Sequence, residues 1–132
     1  MKGERFFKSY FVMIGIYDVL LGAAFAFFYR PIYGMLDMTL PNHPGYLYVP
    51  SLFLMSAGIA EFLIARNLLR NVDLVIVRML MKLSFAGAVI YCRFVYGVPT
   101  IFLVIAVVSI IGVVKNIYFL SWAKRANAAA SA

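Results

Sequence analysis

Asp18, Glu61, Arg78, Lys82 and Lys115 are ionisable side chains embedded in long apolar runs. The stretch DLVIVRMLMKLSFAGAVIYCRFVY, residues 73–96, shows the problem most sharply. It is long and apolar enough to cross a bilayer, yet it carries Arg78 and Lys82 one helical turn apart and Arg93 near its far end. A cation in hydrocarbon costs about 2.5–3.5 kcal/mol on insertion scales. Each such group needs a counter-charge, a polar cavity or a route to the interface. Two kinds of chemistry follow: ion pairs that clamp helix register, or a proton-linked or anion-binding cavity.

Other chemistry-bearing residues are few. Cys92 is the only cysteine, so no intrachain disulfide and no Cys-x-x-Cys pair can form. His43 is the only histidine, which removes multi-histidine metal sites. His43 lies between prolines in a connection and reads as a solvated loop residue. No nucleophile–base pair and no metal set stand out, so an enzyme acting on lipid ranks last and no catalytic residue is assigned.

The elements that must hold these residues are membrane helices. The chain has 132 residues, 65% of them hydrophobic and 13% charged. A soluble domain of that size would leave far too much apolar surface in water. The pattern predicts an all-α polytopic membrane protein, an antiparallel four-helix bundle forming one membrane domain over residues 1–132. The expected spans cover residues 9–29, 47–65, 73–96 and 99–122. Ala24-Phe25-Ala26 has the small-x-small look of a signal cleavage site. The first run is longer than a usual signal core and holds Asp18, so it is expected to be a retained span.

Short links force neighbouring spans to be antiparallel. The longest link, RPIYGMLDMTLPNHPGY, is broken by Pro31, Pro41, Pro44, Gly34 and Gly45. Within it, residues 32–38 suit a short turn of helix on the membrane surface. Pro50 is expected in the first turn of the second span, and Asp73 as the cap of the third. The tail AKRANAAASA reads as frayed.

Orientation follows from the cations. Lys2, Arg5, Lys8, Arg66, Arg70, Lys124 and Arg125 lie on one side, against Arg30 and Arg93 on the other. The positive-inside rule then puts both termini in the cytoplasm, with the bacterial inner membrane as the expected location. The net charge of +7 reflects topology here, and no nucleic-acid partner is expected.

A rise of about 1.5 Å per residue converts position into depth. Asp18 and Lys82 both fall roughly 14 Å from the cytoplasmic side, near mid-bilayer. Glu61, Arg78 and Lys115 fall about 7–10 Å in. The expected pairs are Asp18 with Lys82, and Glu61 with Arg78, Lys115 or both. Three cations face two anions, so one positive charge is left over. Lys115 can snorkel to the interface; otherwise the surplus wants an anion. Gly15, Gly22, Ala57 and Gly58 read as packing residues, as do Ser109, Gly112 and Asn116 along one side of the last span.

The stretch GIAEFLIARNLLRNVDLVIVRMLMKLSFAGAVIY, with Gly58, Ala65, Arg66, Arg70, Asn71 and Lys82, resembles the DoxX-like superfamily of small bacterial four-helix membrane proteins. YDVLLGAAFAFFYRPIY and NHPGYLYVPSL look similar to that group too. The resemblance implies a four-helix integral membrane protein, in a group where some members serve quinone-linked oxidoreductases or help redox enzymes mature. The missing cysteine pair departs from a direct thiol role.

The expected function is non-catalytic: an accessory or scaffold subunit of a larger membrane assembly, partnered by lipids and by other subunits or copies of itself. The alternative is a small carrier or binding protein for a lipophilic anion or quinone, using the intramembrane charges. No resident cofactor is expected beyond a possible quinone or lipid.

Overall fold

A computed structural model describes residues 3–130. Lys2, used above for orientation, and the last two residues of the tail lie outside them. Most of the described residues are α-helical, with no strand among them. The helices are α1 (Glu4–Phe27), α2 (Tyr29–Met35), α3 (Gly45–Arg66), α4 (Val72–Tyr96) and α5 (Thr100–Ala130). All but α2 are long and apolar enough to cross a membrane. The chain divides into two compact units, Met1–Asn67 and Leu68–Ala132.

The first unit is built on α1 packed against α3. Glu4 places an acid in the first turn of α1, where the helix dipole favours it. Pro31 sets the other end. In a continuous helix its ring would clash with the carbonyl four residues back, that of Phe27, where α1 stops. The chain re-enters a helix at once, and α2 starts three residues before the expected surface turn. His43 serves a purpose the sequence did not suggest: its Nδ1 accepts the Gly45 N–H at 3.0 Å, an orphan donor at the start of α3. Because α3 begins at Gly45, Pro50 lies in its second turn and not its first.

Glycine sets the α1–α3 contact. A Cβ on Gly15 would stand 2.9 Å from the Gly58 carbonyl oxygen, and one on Gly58 would stand 2.7 Å from that of Gly15. Seven residues along, a Cβ on Gly22 would meet the Ser51 carbonyl oxygen at 2.7 Å. The partner numbers fall as the α1 numbers rise, so the helices are antiparallel and touch backbone to backbone. Small residues at such seams allow the close approach that membrane helices use in place of a hydrophobic drive.

The second unit is the hairpin of α4 and α5. Gly97 ends α4 at φ 72°, the left-handed conformation that suits glycine, and its N–H donates to the Arg93 carbonyl. Arg93 Nη1 reaches past it to the Val98 carbonyl at 2.9 Å, which ties the turn together. Ala86, Val89 and Ala106 form the buried contact between the two helices, with Phe102 and Leu103 packed on it.

Three expected boundaries differ. The N-cap of α4 is Asn71, so Asp73 sits inside the first turn, still near the positive helix end. Helix α1 starts at Glu4, five residues before the expected span. Helix α5 runs on to Ala130 where a frayed tail was expected after residue 122. Leaving the apolar layer does not end a helix, and the alanines of the tail are the strongest helix formers.

Candidate functional site

On each spanning helix the buried residues follow one stripe, and several polar side chains fall on it. On α1 the buried residues include Phe11, Gly15, Asp18 and Gly22; on α3, Ser51, Gly58, Glu61 and Ile64. On α4 they are Val75, Arg78, Lys82, Ala86 and Val89, a spacing of three and four that keeps one face. Asp18 is 5% exposed, Glu61 0%, Arg78 4% and Lys82 9%.

The acids belong to the first unit and the bases to the second. The glycine register places Gly15 level with Gly58. Asp18 lies three residues from that level towards one end, and Glu61 about the same distance towards the other. Their separation along the axis is thus about 9 Å. On α4, Arg78 and Lys82 are one turn, about 6 Å, apart on the same stripe. Arg78 Nη1 also donates to Met81 Sδ at 3.6 Å, a weak contact.

Lys115 is exposed, a placement that suits a lysine whose stem lies along apolar surface. The next residue, Asn116, read from the sequence as a packing residue, is buried. Asn116 is 0% exposed. Neither Nδ2 nor Oδ1 of its amide has a hydrogen-bond partner among the described residues. The register set by Ala86, Val89 and Ala106 puts Asn116 within about one turn of Arg78. Adjacent helix positions differ by about 100° in direction, so the sequence offered no way to choose between them without the rotation of α5.

Ser51 is the other buried polar side chain, and its hydroxyl donates back to the Leu47 carbonyl at 2.6 Å. Among the described residues no three of His, Cys, Asp and Glu come together as a metal set would need.

These helices define a multi-pass membrane protein of the all-α class, with Asp18, Glu61, Arg78 and Lys82 on its buried stripes. No protein-family model, curated protein or solved structure matches the chain.

Proposed function

We propose that this chain is a non-catalytic accessory or scaffold subunit of a larger membrane assembly, DoxX-like in kind, in a bacterial inner membrane with both termini cytoplasmic. Gly87 carries the reading. Gly15, Gly22 and Gly58 are all used within the chain, at the contact between α1 and α3. Gly87 on α4 is exposed, and a Cβ built on it meets nothing within 4 Å. Around it Ser84, Ala88 and Tyr91 are exposed too, which leaves a small-residue face capped by an aromatic ring. A glycine in a membrane helix costs helix propensity. A close-packed neighbour offsets that cost, and among the described residues of its own unit Gly87 has none.

The test is native mass spectrometry of the protein gently extracted from its own host at natural expression level. The reading expects stoichiometric larger subunits. It also expects Gly87→Leu to lose them while the folded yield of the chain holds, because the new side chain points into open space. Recovery of the native chain alone at every gentle condition overturns it.

One observation favours the carrier reading. The buried amide of Asn116 lies near the level of Arg78, and an amide beside a guanidinium and an ammonium is a fit recognition set for a lipophilic anion or a quinone carbonyl. That reading expects a lone chain or homo-oligomer that retains such a mass, lost on Lys82→Met with the fold intact.

A further inference from the structure

We infer that the groove between α1 and α3, at the end where the chain enters α1, is a binding site for an anionic phospholipid. The groove holds about 660 Å³, within the range of roughly 300–1,000 Å³ usual for ligand sites. Lys8 and Arg66 stand at its mouth, with Ser9 beside them. Val12, Ile16 and Phe62 line its length.

The packing register explains why two cations from opposite ends of the first unit's sequence meet here. The glycine contacts pair positions whose numbers sum to between 73 and 77. Lys8 and Arg66 sum to 74, so they lie level with each other. Val12 and Phe62 share the same level one turn deeper. From Lys8 to Ile16 the groove runs about 12 Å along the axis. It therefore starts at the basic rim of a spanning helix and ends among apolar side chains in the hydrocarbon region.

That order of groups matches one occupant. A phosphate diester needs cations and a hydroxyl donor, which Lys8, Arg66 and Ser9 provide. An acyl chain needs an apolar wall continuous with the phosphate position, which Val12, Ile16 and Phe62 provide. Free phosphate has no use for that wall, and a zwitterionic headgroup brings its own cation to a site that already holds two. Lys8 has a competitor in Glu4, whose Oε1 lies 3.7 Å from its Nζ, but both side chains are about half exposed. Exposed pairs of that kind hold weakly, and a phosphate diester displaces the carboxylate readily.

The experiment uses the full chain in mixed micelles and counts lipids retained in native mass spectra. Phosphatidylglycerol and phosphatidylcholine are the probes. The site expects phosphatidylglycerol to be kept in preference to phosphatidylcholine by about twenty-five-fold, a factor of about five for each cation. Lys8→Gln with Arg66→Gln abolishes the preference. Both side chains are exposed, and the helical content and thermal midpoint of the variant are read alongside to show that it folds. The preference survives millimolar inorganic phosphate, and it survives Lys124→Gln with Arg125→Gln, which removes an equal charge elsewhere. Equal retention of the two lipids overturns the site, as does an unchanged preference in the Lys8/Arg66 variant. Displacement by inorganic phosphate assigns a simple anion site instead, and equal loss in the Lys124/Arg125 variant assigns diffuse surface attraction.

Discussion

The two halves of this chain solve the same packing problem in different ways. Helices α1 and α3 meet through glycine backbones at Gly15, Gly22 and Gly58. Helices α4 and α5 meet through side chains, with Ala86, Val89 and Ala106 at the contact, and the glycine of α4 faces away. The first pair buries acids, Asp18 and Glu61, and the second buries bases, Arg78 and Lys82. A backbone seam leaves no slack for change, whereas a side-chain seam can repack. The contrast marks the first pair as held by backbone contact and the second as held by side chains.

The charges give the largest expected effect. Removing one partner of a buried ion pair costs about 3–5 kcal/mol, because the remaining charge is stranded. The expected pairing of Asp18 with Lys82 is tested by a double-mutant cycle with leucine at each position, read by thermal unfolding in detergent. Each single change should lower stability by about that amount, and the double change should recover most of it. Additive losses would show that each charge is compensated separately, and the contrast of sign between the pairs would then have no energetic meaning.

The glycines come next. Gly58→Ala should destabilise by about 1–3 kcal/mol, the usual cost of overpacking, since its Cβ would press on the Gly15 carbonyl and backbone cannot swing aside. Gly87→Ala should do the opposite by a few tenths to about 1 kcal/mol, because it meets open space and gains helix propensity. Chemical or thermal denaturation of both variants checks the sign. Two losses of equal size would remove the distinction between a used and an open glycine.

How much of this was legible in the sequence follows from what each feature depends on. Four spans were readable because apolar content accumulates over about twenty residues and survives local exceptions such as Asp18. The packing roles of Gly15, Gly22 and Gly58 were readable because small residues at regular spacing have few other uses in a membrane helix. Helix ends were not. Glu4 starts α1 well outside the apolar layer, and the alanines carry α5 to Ala130, because hydropathy reports the bilayer and not the helix. The groove at Lys8 and Arg66 was hidden for a different reason. Both residues read as topology signals, and only the register between α1 and α3 shows them level.

Lys115 and Asn116 show the same limit at one step of sequence, and they give the smallest expected change. Depth put Lys115 in the shallower layer with a route to the interface, and rotation about α5 leaves Lys115 exposed and Asn116 buried. A buried amide with no partner costs about 1–3 kcal/mol. Leucine is close to asparagine in shape and has no polar atom to satisfy. Asn116→Leu should therefore raise the thermal midpoint, by an amount corresponding to about 1–2 kcal/mol, and leave subunit retention unchanged if the chain is an accessory. A rise in stability together with loss of a bound anion or quinone would mean that the chain keeps a costly amide for its ligand, and the second helix pair would then be the functional one. A fall in stability would mean that the amide has a partner in the bilayer-embedded protein, and the side-chain seam of α4 and α5 would be as tightly specified as the glycine seam of α1 and α3.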